Sequence, residues 1–221
     1  MELFFKDGKK IDLRGYRYLN KGEDGEIYVD GNTALKIYHL HERHAQLTKK
    51  MFNTLKNKKI PNIVKLHEYL YTNDSFFTKT FSFDAYTMDY INGKPKEFIS
   101  FDKKVIIEML KSLEQTLQLL TDCRIVLHDV HPKNLIITEN GMTIIDLDRF
   151  YFLKLASKKT IYRLNKLELL NCINSTILKE VNKSGITTSI PLFTIDDNLS
   201  FLENTSKGMD EKFEKILSLK K

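Results

Sequence analysis

The chain has 221 residues, 42% of them hydrophobic, with 35 Lys and Arg against 29 Asp and Glu and a formal net charge of +6. That length buries a sizeable core in one unit of two lobes and excludes a separate second domain. The positive excess divides evenly about residue 90, which excludes a basic nucleic-acid arm, and Cys123 and Cys172 stand outside any CxxC spacing, which excludes a disulfide framework or a zinc ribbon.

No apolar run reaches the ~18 residues of a membrane span, and Met1-Glu2-Leu3-Phe4-Phe5 is too short and wrongly charged for a signal peptide, so cytoplasmic folding is expected. In chain order, residues 4–38 predict β-strands with turns. Within them Leu19-Asn20-Lys21-Gly22-Glu23-Asp24-Gly25-Glu26-Ile27-Tyr28 places two glycines three apart between strand-like runs. After the Asp30-Gly31-Asn32 turn, Ala34-Leu35-Lys36-Ile37-Tyr38 predicts a strand with a lysine between apolar neighbours. Residues 41–58 predict a helix, and the basic run from Lys49 to Lys65 is expected to be its solvated face. Ile60-Pro61-Asn62-Ile63-Val64-Lys65-Leu66 predicts a Pro-bounded strand start, and residues 63–91 predict strands around Thr72-Asn73-Asp74-Ser75. Phenylalanine and tyrosine are scattered over such positions and say little by themselves.

From Phe101 to Thr121, Ile106, Met109, Leu110, Leu113, Leu117 and Leu120 follow helical spacing, with Ser100 as the expected cap. Next comes the most informative stretch, LHDVHPKNLIITENGMTIIDLDR, from Leu127 to Arg149. Leu135-Ile136-Ile137 and Met142-Thr143-Ile144-Ile145 predict two short strands joined by Glu139-Asn140-Gly141. Such a hairpin returns Asn134 and Asp146 side by side, so their oxygens can share one divalent ion, while Asp129 on the preceding loop can accept a proton from a substrate hydroxyl. Beyond it, a helix is expected from about Ile161 to Asn182, irregular chain from Ser184 to Ser206, and a closing helix from Met209 to Leu219.

The spacing of Asp129, Asn134 and Asp146 resembles the catalytic and metal-binding loops of the protein-kinase-like superfamily. Asp129-Val130-His131-Pro132-Lys133-Asn134 is similar to the loop of aminoglycoside and choline kinases and their bacterial relatives. Asp146-Leu147-Asp148 stands in the place of the DFG triplet, with Asp148 in the place of its glycine. The resemblance extends outward. Gly22 and Gly25 match the Gly-rich loop, Ala34–Tyr38 the VAIK strand, Ile60–Leu66 the HPNIVKL segment, and Tyr86-Thr87-Met88-Asp89-Tyr90-Ile91-Asn92-Gly93 the strand and hinge between lobes.

The resemblance implies an α+β, bilobal protein-kinase-like fold: an N-lobe over residues 1–91, an antiparallel sheet with one helix, and an abbreviated, mostly helical C-lobe over residues 92–221. It implies ATP and Mg2+ as cofactors. Lys36 and the backbone around Gly22 and Gly25 would hold phosphates, Met88 would be the gatekeeper, and the backbone of Asp89 and Ile91 would meet adenine. Asn134 and Asp146 would hold the metal, and Asp129 would act as the base.

Departures from the pattern qualify the expected function. Met51 stands where the regulatory helix of active protein kinases carries a glutamate for the lysine, so either Glu42 or Gln46 reaches Lys36 through a shifted helix or the pair is missing. Leu127 replaces the usual catalytic-loop histidine, and the adjacent His128 is expected to take its packed role. Lys166 stands where protein kinases have an aspartate in the helix that anchors the catalytic loop, and no Ala-Pro-Glu closes an activation segment. The leading expectation is an ATP- and Mg-dependent kinase of a protein or peptide hydroxyl, of Ser/Thr type. The alternatives are a small-molecule kinase, favoured by His131-Pro132, and a pseudokinase, favoured by Met51. No nucleic-acid partner is expected, and the sequence is silent on oligomeric state.

Overall fold

The strand-forming runs before residue 90 pair into one antiparallel sheet, and the long helical stripes after it pack on one another. The structure, a computed structural model, describes residues 2–39, 47–72, 83–92, 95–183, 192–193 and 195–209. It divides into one unit of Met1–Lys59, Val64–Gly93 and Leu147–Arg149, and a second of Ile60–Ile63, Lys94–Asp146 and Phe150–Lys221.

In the first unit, β1 (Leu3–Phe4), β2 (Arg17–Lys21), β3 (Gly25–Asp30), β4 (Thr33–Tyr38), β5 (Leu66–Thr72) and β6 (Ala85–Asp89) form a six-stranded sheet in the order β1-β5-β6-β4-β3-β2. β3 and β4 pair from Gly25↔Tyr38 to Asp30↔Thr33, which leaves Gly31 and Asn32 as a two-residue turn. Gly31 takes a φ of 53 there, the left-handed geometry that tight hairpins require. β4 lies between β3 and β6, and every residue from Ala34 to Tyr38 is buried.

Helix α1 (Lys49–Lys58) is capped by Thr48, whose hydroxyl accepts from the Met51 amide, and it buries Met51, Phe52 and Leu55. The first part of the helix expected over 41–58, with Glu42 and Gln46, lies outside the described residues. Phe52 joins Tyr69, Phe83, Tyr86 and, through Phe83 and Tyr86, Tyr38 in an aromatic cluster with ring centroids 5.3 to 6.1 Å apart. Aromatics that are scattered along the sequence thus converge behind β4, each pair contributing ~0.5–1.5 kcal/mol beyond its buried area.

In the second unit, α2 (Lys103–Asp122) buries all six residues of its expected stripe. Six such side chains contribute on the order of 10 kcal/mol before chain entropy is counted. Its cap is Asp102, whose side chain accepts from the Val105 amide. Ser100 is not the cap, because it closes a preceding 3-10 turn, where its hydroxyl donates to the Glu97 carbonyl at 2.6 Å.

Strand β7 (Ile125–Val126) pairs with β10 (Tyr151–Phe152), and β8 (Leu135–Thr138) pairs with β9 (Gly141–Ile144) as the expected hairpin. Helix α3 spans Lys158–Lys183, and α4 spans Phe201–Gly208. The chain from 184 to 206 is therefore not irregular throughout. Ser200 and Glu203 form a reciprocal capping box that starts α4. The closing helix expected from Met209 lies, past that residue, outside the described residues. Among the described residues, no helix is long and apolar enough to cross a membrane.

Candidate active site

Asp129 lies on the loop between β7 and β8, and its position is set from below by α3. The Asn165 amide bridges that loop and β7: its oxygen accepts from the Leu127 N–H at 2.7 Å and its nitrogen donates to the Ile125 carbonyl at 2.9 Å. One turn on, Glu168 accepts from the Val130 N–H at 2.9 Å. Asp129 lies between these two anchors with a φ of 63, in the left-handed region that aspartate enters more readily than most non-glycine residues. Its carboxylate is 43% exposed and lies 2.6 Å from Nε2 of His131, so it is both accessible and held.

Lys166 has no part in anchoring the loop. Its nearly fully buried ammonium donates to the carbonyls of Asp196 and Leu199, both at 2.8 Å, and holds the chain that leads into α4. His128 departs from the packed role expected of it: it is exposed, with its ring edge-on to Tyr151, and Leu127 fills the core instead.

The hairpin returns the chain to Asn134 one residue before Asp146. The Asn134 N–H donates to the His131 carbonyl at 2.8 Å in a turn that begins at Pro132, and the Asn134 carbonyl accepts from Ile145, beside Asp146, at 2.9 Å. Asn62 fixes the hairpin in turn. Its side-chain nitrogen donates to the Met142 carbonyl at 2.8 Å, its carbonyl accepts from the Ile144 N–H at 2.7 Å, and its side-chain oxygen accepts from Ser112 and Thr116 of α2 at 2.8 and 2.9 Å. The Ile60–Ile63 segment is thus more than a strand start, because it ties α2 to the strand that delivers Asp146.

In the first unit, Lys36 projects from β4 and forms a buried ion pair with Asp148, Nζ to Oδ2, at 2.6 Å. The Tyr38 hydroxyl donates to Oδ1 of the same carboxylate at 2.7 Å and accepts from the Leu47 N–H at 3.2 Å. Burial, and then the Asp148 charge, push the Tyr38 phenol well above its ordinary pKa, so it stays a donor. Met51 is buried in the apolar core of this unit.

Gly22 and Gly25 close one turn, the Gly22 N–H donating to the Gly25 carbonyl at 2.8 Å. They differ in what they require. A Cβ on Gly25 would sit 2.3 Å from the Ile37 carbonyl oxygen, so this glycine lets β4 approach, whereas one on Gly22 would meet nothing nearer than 3.7 Å. Met88 is buried on β6 opposite Ala34 and Leu66. Asp89 donates its N–H to the Lys65 carbonyl at 2.9 Å and lies 2.8 Å from Nε2 of His67; Ile91, just beyond β6, is half-buried.

No protein-family model matches the sequence, and no curated protein matches it significantly. Solved structures do match the fold. The Cydia pomonella granulovirus kinase PK-1 aligns with a TM-score of 0.53 at 16% identity, over 94% of this chain and 79% of that one. The PknI kinase domain of M. tuberculosis aligns with a TM-score of 0.52 at 14% identity, over 89% of this chain and 95% of that one. The chain has a protein-kinase-like fold. Its six-stranded sheet is the sheet of the N-lobe, and the α+β class expected from the sequence holds. Identities this low carry the protein-kinase-like fold and not its chemistry.

The sequence singled out Lys36, Asp129, Asn134 and Asp146 but not the residues that hold them. Asn165 and Glu168 were within reach of sequence reasoning, since two polar residues three apart on the buried side of a helix need partners. Asp148 was noted only as a replacement for glycine.

Proposed function

We propose that the protein is an ATP- and Mg-dependent phosphotransferase that moves the γ-phosphoryl group to a hydroxyl, with a protein or peptide hydroxyl as the first choice of acceptor. The observation that carries this is the loop and hairpin of the second unit. There an accessible carboxylate is held between two backbone anchors, and the Asn134–Ile145 hydrogen bond returns the chain to Asn134 one residue before Asp146. The donor set fits magnesium. Asn134 and Asp146 offer hard oxygen ligands, and Mg2+ is commonly held by one or two protein oxygens together with phosphates and water. Among the described residues no group of three or more His, Cys, Asp or Glu forms a self-sufficient metal cage, which accords with an ion that arrives with its nucleotide.

The residues divide the work as follows. Asp129 orients the acceptor hydroxyl and takes its proton, and His131 beside it keeps the carboxylate directed. Lys36 supplies a fixed positive charge for the α- and β-phosphates. The turn closed by Gly22 and Gly25 covers the phosphates, and Met88, Asp89 and Ile91 border the adenine. Bound magnesium would neutralise charge that builds on the phosphate oxygens.

A small-molecule acceptor is the second reading. It is favoured by the 2.6 Å contact of His131 with Asp129 and by the short chain between Arg149 and the start of α3 at Lys158, which leaves little segment for docking a peptide. The test is transfer of labelled γ-phosphate with Mg2+ to protein and small-molecule acceptor panels. Asp129→Ala and Asp146→Ala should each lower turnover by about 10²–10⁴-fold. Unchanged turnover in both variants refutes the site. ATP binding with no transfer or hydrolysis across both panels makes the protein a nucleotide-binding pseudokinase instead.

A further inference from the structure

We propose that Asp148 positions Lys36 for the nucleotide phosphates, a role the sequence pattern would assign to a glutamate at Met51. The inference rests on the phosphotransferase reading above and names a residue that the resemblance leaves without a role.

Lys36 and Tyr38 are two apart on β4 and so lie on one face of the sheet. Both engage the same carboxylate, Lys36 at Oδ2 and Tyr38 at Oδ1, at 2.6 and 2.7 Å. The Asp148 side chain is 1% exposed and that of Lys36 9%. Leu147, next to it, is fully buried, so the backbone that presents the carboxylate is anchored on its own account. Tyr38 is in turn fixed by the Leu47 N–H and by its packing on Phe83 and Tyr86. An ammonium at the end of four methylenes is thereby confined to one location.

A buried ion pair is a poor device for stability alone, because desolvating two charges offsets most of their attraction and an apolar pair of equal volume does as well. Its use is geometric: it fixes where a charge stands. Here the fixing acid comes from the stretch that begins with Asp146, two positions earlier in sequence. One short segment then supplies both a proposed metal ligand and the tether of the proposed phosphate lysine.

The test measures the MgATP dissociation constant, by competition with a fluorescent ATP analogue, together with turnover, for the wild type, Asp148→Asn, Asp148→Glu, Tyr38→Phe, Lys36→Met, Lys36→Met with Asp148→Asn, and Asp129→Ala. Asp148→Asn should weaken MgATP binding about tenfold or more, Asp148→Glu should recover part of that loss, and Tyr38→Phe should weaken binding a few-fold, about the loss of one charge-assisted hydrogen bond. Adding Asp148→Asn to Lys36→Met should cost less than about twofold more, since a positioning residue acts only through the lysine. Asp129→Ala should lower turnover and leave binding unchanged. The proposal is overturned if Asp148→Asn binds MgATP as the wild type does while Lys36→Met does not, or if it binds more tightly, which would make Asp148 a restraint on the lysine. Should Asp148→Asn fail to fold by circular dichroism, Tyr38→Phe decides, and wild-type affinity in that variant overturns the proposal. If Lys36→Met and Asp129→Ala also leave binding and turnover untouched, the phosphotransferase reading itself fails.

Discussion

Replacing Asn165 by alanine tests whether α3 holds the loop that carries Asp129. The Asn165 side chain has no solvent exposure and makes two hydrogen bonds to backbone groups, the Leu127 N–H and the Ile125 carbonyl. Alanine leaves both groups buried without those partners, at about 1–3 kcal/mol each, or roughly 2–6 kcal/mol together. That is a large part of the ~5–15 kcal/mol that holds a domain folded. For a chain of this size it lowers the melting temperature by roughly 5–15 °C. Function should suffer beyond stability. Leu127 stands two residues before Asp129, and a displacement of about 1 Å in a catalytic group can cost about 10²-fold in rate. Glu168→Ala removes one bond, to the Val130 N–H, in a partly buried place and should cost only about 0.5–1.5 kcal/mol, whereas Glu168→Gln keeps an acceptor and should be nearly neutral. The assays are thermal melting and phosphoryl transfer, measured well below the melting point. An Asn165→Ala protein that melts within about 1 °C of the wild type and transfers phosphate at the wild-type rate refutes the anchoring role.

Further outcomes separate the roles of neighbouring residues. Gly25→Ala should cost more than about 2 kcal/mol through its clash with the Ile37 carbonyl, and Gly22→Ala less than about 1 kcal/mol, as measured by urea unfolding. Ser200→Ala removes half of a capping box and should lower stability by about 1 kcal/mol, with faster hydrogen exchange confined to α4. Cys172 is buried, and burial pushes its thiol up to about 12 from the ordinary 9.0, so it should resist iodoacetamide until the protein unfolds. The same shift has a sign for stability. The folded state keeps the thiol proton that the unfolded state gives up, so this contribution is complete below pH 9 and is lost as pH rises toward 12, and Cys172→Ala should flatten that alkaline decline in the unfolding free energy.

What the sequence showed of the fold was what local chemistry decides. The stripe of α2 is written in six apolar residues at helical spacing, and the β8–β9 hairpin in two apolar runs around Glu139-Asn140-Gly141; both are as expected. Caps were less legible, because competing polar residues stand close together. Ser100 and Asp102 are both good caps, and the choice fell to Asp102 only because Ser100 spends its hydroxyl on the Glu97 carbonyl. The start of α4 was legible in principle, since Ser200 and Glu203 have capping-box spacing, but Gly185 and Pro191 upstream suggested a longer irregular stretch than the chain has. His128 fails for a different reason. Adjacent residues on an extended loop face opposite ways, so a shift of one position turns a core residue into an exposed one, and Leu127 took the inner place.

The candidate site divides along the same line. Asn134 and Asp146 flank a hairpin of known length, so the return of the chain to Asn134 follows from local sequence. Asp148, which pairs with Lys36, is 112 residues away, and nothing in the spacing of either residue predicts the pair. What makes the pair is the burial of β4 on both faces. A lysine at the centre of a covered strand must find a counter-charge or lose its own, and Asp148, 2.6 Å away, is a carboxylate that meets that need. Met51 becomes intelligible in the same terms. With Asp148 delivered beside β4, a carboxylate at position 51, which is buried, would be desolvated at a cost of several kcal/mol unless paired. Met51→Glu therefore distinguishes two histories of the lysine. If Asp148 is its working partner, the substitution should destabilise the fold by about 3 kcal/mol or more and leave MgATP affinity no better. If α1 can supply the acid that the pattern expects, Met51→Glu should rescue MgATP binding in Asp148→Asn, and the assignment of the lysine's partner would have to be reversed.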